Sequence, residues 1–137
     1  MTSTASTSRP RIDAVSPVKT LTMRDEATLW DLEERFWTGG LDSARATTAQ
    51  NAVMIFPYPL GILQGDGIWS RLKQGAPWRL VGITGRSVSE RRDLAVITYR
   101  VSAEKADEPI YQALCASTYL RDDGNWIRMS HQETPVT

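Results

Sequence analysis

The chain has 137 residues, with sixteen basic and sixteen acidic side chains and therefore no formal net charge. That length fits one domain able to bury its own core, and the even charge excludes the basic footprint of a nucleic-acid binder or a polybasic membrane patch. A single cysteine excludes an intramolecular disulfide, and no run approaches the roughly 18 apolar residues of a membrane span.

The opening MTSTASTSRPRIDAVSP lacks the apolar core of a secretory signal. It reads as an arm, residues 1–18, that is flexible or clasps a partner, ahead of one domain over 19–137. With the lone cysteine, this leads to an expectation of a cytoplasmic protein. Thr22-Met23-Arg24-Asp25 has the form of a helix-start box, and Asp25 and Glu26 suit the positive end of a helix. From Glu26 to Thr38, the residues Leu29, Trp30, Leu32, Phe36 and Trp37 recur at three- and four-residue spacings. They form one apolar face, with Asp31, Glu33, Glu34 and Arg35 placed largely off it. Gly39-Gly40 stops the helix. Asp42 is the expected cap of a short second helix running to about Thr48.

Ala52–Phe56 reads as a buried strand, broken by Pro57-Tyr58-Pro59, with Gly61–Gln64 as a short return strand. Asp66 is the expected cap of a third helix that ends at Gly75. From Trp78 onward the period is strand-like, giving Trp78–Glu90, Leu94–Ala103, Ile110–Arg121 and Asn125–Glu133. Short polar turns join them, so they form an antiparallel meander. The order predicts an α+β domain with helices on one sheet face. Gly82 and Gly85 mark bends in a long strand and do not form a phosphate loop. No cofactor motif is present, and one His with one Cys cannot supply a closed metal shell.

A type I turn with a glycine bulge at Asp122-Asp123-Gly124 would set Arg121 opposite Asn125. Tyr119 then faces Ile127, Ser117 faces Met129 and Cys115 faces His131, while Val101 pairs with Ala113 across the preceding turn. Under this register one face carries Ile97, Tyr99, Val101, Cys115, Ser117, Tyr119, Ile127, Met129 and His131, and is assigned to the interior. The other carries Val96, Arg100, Leu114, Leu120, Trp126 and Arg128. One helix layer covers one sheet face, so the second face predicts a homodimer through Arg100, Leu114, Leu120, Trp126 and Arg128. A one-residue slip would exchange the two sets.

The helix Trp30–Trp37, Ala52-Val-Met-Ile-Phe-Pro57 leading to Gly61–Gly65, Ile97-Thr-Tyr-Arg100, Ala113–Tyr119, the Asp-Gly-x-Trp hairpin and His131-Gln132 before Thr134-Pro135 carry a resemblance in their order and spacing. Across roughly residues 20 to 135 the chain resembles the nuclear-transport-factor-2-like superfamily, in its SnoaL-like and ketosteroid-isomerase-like branch. The resemblance implies a cone-shaped, cystatin-like α+β fold, a strongly curved sheet around helices, a pocket at the wide end and frequent dimers. It does not imply a reaction, since the superfamily holds isomerases, cyclases, hydrolases, dehydratases, transport adaptors and assembly domains. Isomerase and cyclase members rely on a pocket aspartate, and these strands carry no mid-strand Asp.

His131, near a strand end, is the candidate acid–base or ligand-contacting residue. Cys115 opposite it could form a nucleophile–base pair or serve as a core filler. Trp37, Phe56, Tyr58, Trp69, Tyr99, Cys115, Tyr119 and Met129 are the candidate pocket walls, with Tyr58 held at a rim between two prolines. Three functions fit. One is a dimeric pocket protein for an apolar or aromatic small molecule. Another is an isomerase- or cyclase-type enzyme using His131 with Tyr58 or Tyr119. The last is a dimerisation module with a filled interior.

Overall fold

The computed structural model describes residues 21–72 and 78–136; the expected arm over 1–18 lies outside them. Helix α1, Met23–Thr38, starts as its sequence dictates. The Thr22 hydroxyl accepts from the Asp25 N–H and the Asp25 carboxylate accepts from the Thr22 N–H, both at 3.0 Å. Gly39 closes the helix, its N–H donating to the Arg35 carbonyl. A Cβ there would lie 2.7 Å from that same oxygen, so the position requires glycine.

Helices α2, Leu41–Ala46, and α3, Asp66–Arg71, are single short turns. Their caps are Gly40 and Gly65, at φ 86° and 57°, and not Asp42 and Asp66 as expected. Each chain reversal needs a left-handed residue, so glycine takes the cap and the aspartate moves into the first turn, where it still faces the helix dipole.

Six strands follow: β1 Thr48–Phe56, β2 Gly61–Gln64, β3 Leu80–Arg91, β4 Leu94–Glu104, β5 Tyr111–Asp122 and β6 Asn125–Pro135. They form one sheet in the order β2-β1-β6-β5-β4-β3, antiparallel throughout except between β1 and β6. The α+β architecture is therefore as expected, with helices at the N-terminal end and a mainly antiparallel sheet. Strand β1 is not buried on both faces. Ala52, Met54 and Phe56 point inward while Ile55 is exposed, the alternation of a sheet covered on one side. In β3 the register shifts between Thr84 and Ser87, where Gly85 takes φ 62°, so the expected bend falls at that glycine.

Val101 pairs with Ala113 as expected, but the last hairpin differs. Asp123 and Gly124, at φ 53° and 83°, make a two-residue turn that sets Asp122 opposite Asn125. Tyr119 therefore faces Arg128, and Arg121 faces Trp126. A further shift between Thr118 and Tyr119 leaves Met129 as the extra residue, after which Ser117 faces His131 and Cys115 faces Glu133. Each shift reverses the side-chain alternation. The first turns Trp126 and Arg128 into the interior, against the expected interface. The second brings His131 and Glu133 inward and leaves Met129 half-buried at the bulge.

The interior face unites Leu29, Trp30, Leu32 and Trp37 of α1 with Ile97, Tyr99, Val101, Cys115 and Tyr119. A second cluster of Met54, Phe56, Leu63 and Ile68 lies under β1, β2 and α3, and Phe36 packs against both. The two clusters meet where the site lies.

Candidate functional site

The largest fully buried polar group is Arg128, and the helix presents Glu33 to it. Glu33 stands four residues after Leu29 and four before Trp37, at the centre of the apolar face of α1, and is fully buried. The expectation that it lies off that face is overturned. Its Oε2 accepts from the Tyr99 and Ser117 hydroxyls at 2.5 Å each, and its Oε1 accepts from Tyr119 at 2.6 Å. Arg128 Nη2 lies 3.4 Å from Oε1 and also donates to the Leu32 carbonyl. Its Nη1 donates to the Thr47 and Thr48 hydroxyls, so this one guanidinium ties α1, the α2–β1 junction and β6 together. The guanidinium carbon also stacks 4.3 Å over the Phe36 ring.

His131 continues the chain of bonds toward the surface. Its Nδ1 lies 2.7 Å from Ser117 Oγ, and its Nε2 lies 2.9 Å from Glu133 Oε2. Because the Ser117 hydroxyl donates to Glu33, its oxygen is left to accept from Nδ1–H. Nε2 faces a carboxylate and donates as well. Both ring nitrogens thus carry hydrogen, which is the imidazolium form. Glu133 Oε1 accepts from the Tyr111 hydroxyl at 2.8 Å. Two carboxylates, Glu33 and Glu133, therefore balance two cations, Arg128 and His131.

The titration behaviour follows from these contacts. Burial alone would raise the Glu33 pKa, but the hydrogen bond and charge of His131, with Arg128 and Ser117, hold it well below the usual carboxylate range. Burial likewise opposes the charged form of His131, and the bonds to Glu133 and Glu33 and their charges outweigh it, raising its pKa. Burial, then the nearby Glu33 charge, pushes the Tyr99 and Tyr119 phenols up. Burial and Glu133 do the same to Tyr111.

Glu133 is the point at which this buried chain reaches an open space. A cavity of about 820 Å³ lies between the C-terminal end of α1, α2, the β1–β2 loop, α3 and the start of β5. Phe36, Trp37, Phe56, Trp69, Trp78 and Tyr111 supply its aromatic walls, and Glu133 its floor carboxylate. Phe36, Trp37 and Phe56 also pack around His131, at ring-centroid distances of 4.6, 6.1 and 5.8 Å. Trp78 stacks on Tyr111 at 5.8 Å, and the Lys105 ammonium sits 4.4 Å over the Trp78 ring.

Of the expected pocket residues, Trp37, Phe56, Tyr58 and Trp69 line this cavity, and Tyr58 is 93% exposed at its rim. Tyr99, Cys115, Tyr119 and Met129 do not line it. Tyr99 and Tyr119 lie deeper, with their hydroxyls committed to Glu33. His131 is covered by Phe36, Trp37, Phe56 and Glu133 and does not reach the cavity. The expected Cys115–His131 pairing is absent, since Glu133 occupies the position opposite Cys115. Burial, then the Glu133 charge, pushes the Cys115 thiol up to about 12, the opposite of nucleophile activation. Arg100, Leu114 and Leu120 remain on the outer sheet face, whereas Trp126 and Arg128 lie buried inside. Glu33, Glu133 and Tyr111 were missed. The signal for Glu33 was an acid centred on an apolar helix face, which demands a buried basic partner.

No family model and no curated protein matches the chain. Solved structures do. A proposed ketosteroid isomerase from Parabacteroides distasonis superposes with a TM-score of 0.71 at 16% identity, over 80% of this chain and 86% of that one. An NTF2-like protein of unknown function from Pseudomonas putida gives 0.69 at 16%, over 84% and 89%. The association domain of CaMKII from C. elegans gives 0.66 at 12%, over 80% and 91%. The fold is nuclear-transport-factor-2-like. At these identities the likeness establishes that fold and leaves the chemistry to the residues.

Proposed function

We propose that this protein binds an apolar or aromatic small molecule in the cavity above Glu133, with no reaction assigned. The observation that supports this best is the cavity. Its volume of about 820 Å³ falls in the range of roughly 300–1,000 Å³ common to small-molecule sites, and aromatic walls with one half-buried carboxylate suit such a ligand. A thermal-shift screen of one- and two-ring aromatic compounds tests it. Compounds that raise Tm in the parent chain should raise it less in Leu60→Trp, whose larger ring narrows the cavity from its wall. Shifts of unchanged size in that variant would place binding elsewhere.

The Glu133–His131 pair favours a second reading, an enzyme of isomerase or cyclase type, and the proposed ketosteroid isomerase of the same fold supports it. Here Glu133 is the acid–base group at the cavity surface, Tyr111 is the adjacent tyrosine, and His131 is a positioning residue behind them. The filled interior required of a pure assembly module is hard to reconcile with the cavity. Self-association remains part of the proposal, through the outer sheet face that carries Arg100, Leu114 and Leu120. Ile55 and Ile62, paired across β1 and β2 and both exposed, extend that face. Light scattering should show a dimer in the parent and a monomer in Leu114→Glu. Among the described residues no helix is long and apolar enough to cross a membrane, and a cytoplasmic setting is proposed on the lone cysteine.

A further inference from the structure

The hydrogen-bonding groups at the cavity floor all point one way. The Tyr111 hydroxyl donates to Glu133 Oε1, and His131 Nε2–H donates to Glu133 Oε2. The Trp37 indole N–H turns away from the cavity and donates to the Tyr99 hydroxyl at 2.9 Å. The donors bonded at Glu133 are thus already committed. The unfilled positions are acceptor ones, since each carboxylate oxygen takes one bond here and has capacity for a second. A ligand carbonyl oxygen would meet no free donor at Glu133, and a ligand O–H or N–H would meet a charged acceptor.

Charge narrows the class further. Glu133 and Glu33 are matched by His131 and Arg128 within the buried network. The other basic groups on the cavity, Lys105 and Arg71, outnumber Asp42. An ammonium ligand would add a positive charge to a balanced floor under a basic mouth. An anionic head at the floor would face Glu133 directly.

We propose that the cavity takes a neutral, hydroxyl-bearing aromatic or alicyclic molecule, inserted with its hydroxyl donating to Glu133. The inference rests on reading the cavity as a binding pocket. It makes Glu133 the residue that selects an alcohol or phenol over a ketone or ether of the same shape. A hydrogen bond to a charged acceptor is worth about tenfold or more in affinity.

Four naphthalenes of similar size test it by isothermal titration on the full chain at neutral pH: 2-naphthol, 2-methoxynaphthalene, 2-acetonaphthone and 2-naphthylmethylamine. The expected result is 2-naphthol tighter than the ether and the ketone by about tenfold. Glu133→Gln, whose amide offers a single acceptor oxygen to two existing donors, should shrink that gap to less than about threefold and leave ether affinity within about twofold. Tyr111→Phe keeps the carboxylate and must keep the preference, which supplies the test should Glu133→Gln not fold. Equal or tighter binding of the ether or ketone, a preference untouched by Glu133→Gln, or its loss in Tyr111→Phe overturns the proposal. An ammonium that binds tightest overturns the neutral class while leaving the pocket reading intact. Failure of all four to bind overturns both together.

Discussion

Replacing Glu33 with Gln keeps the side chain's shape and removes one charge from the centre of the fold. The carboxylate accepts from three hydroxyls, on Tyr99, Ser117 and Tyr119, and faces the Arg128 guanidinium. An amide has one acceptor oxygen in place of two, and it turns an NH₂ toward groups that themselves donate. At least one buried hydroxyl must then reverse or go unpaired, at about 1–3 kcal/mol. Arg128 and His131 also lose their shared counter-charge, and breaking a buried ion pair from one side costs about 3–5 kcal/mol. The two costs overlap, so the expected loss is about 4 kcal/mol in all. For a domain of this length that corresponds to a Tm lower by roughly 15 °C. Urea unfolding followed by circular dichroism measures it, with the slope checked for constancy. The double variant Glu33→Gln with Arg128→Met removes both charges while keeping an acceptor for the hydroxyls, and should lose less than the sum of its two single variants. It should not be neutral, because the Leu32 carbonyl and the Thr47 and Thr48 hydroxyls lose their donor. A Glu33→Gln protein within about 1 kcal/mol of the parent would refute the claim that this carboxylate organises the interior.

The same network fixes the pH response. Glu33 has a folded-state pKa held below its ordinary value of 4.5, so its stabilisation is present above that pH and is lost as acid titrates the folded form. His131 is shifted the other way from 6.5, so its contribution is complete below that pH and is lost as pH rises through the higher folded value. Urea midpoints across pH should therefore plateau between the two limits and fall on both sides, and His131→Gln should flatten the alkaline fall. Cys115, buried and with its thiol pushed up to about 12, should resist a disulfide reagent in the folded chain and react once unfolded. A rapid native-state reaction would contradict its placement. Gly124→Ala forces a Cβ into φ 83° and should cost about 1 kcal/mol while leaving the pairing of β5 with β6 unchanged by amide exchange.

Much of the fold was legible because local chemistry and tertiary packing agree. The Thr22–Asp25 box, the Leu29–Trp37 apolar face and the glycine stop at Gly39 each specify helix α1 without help from the sheet. Alternation in β4 and β5 set Val101 against Ala113 and turned Tyr99, Cys115 and Tyr119 inward, as the structure does. The last hairpin was less legible because register is decided by single residues. Asp123 and Gly124 form a two-residue turn where a three-residue one was expected, and Met129 bulges out. One change brought Arg128 inside, and both together moved Ser117, and not Cys115, opposite His131. The buried charges were hidden for another reason. Glu33 and Arg128 are tolerated in the core only because each meets the other, together with Tyr99, Tyr119 and His131, and those partners come from strands distant in sequence. Read singly, each looks like a surface residue.

Five tryptophans make the central claim directly measurable. Trp37, Trp69 and Trp78 line the cavity, whereas Trp30 packs against Tyr99 and Trp126 lies beside Arg121 and Asp25, away from it. Titrating 2-naphthol into uniformly ¹⁵N-labelled protein should move the indole signals of the first three and leave those of Trp30 and Trp126 in place. Saturable shifts at Trp30 or Trp126 with the cavity tryptophans unmoved, or no shift at any of the five, would contradict a binding pocket over Glu133.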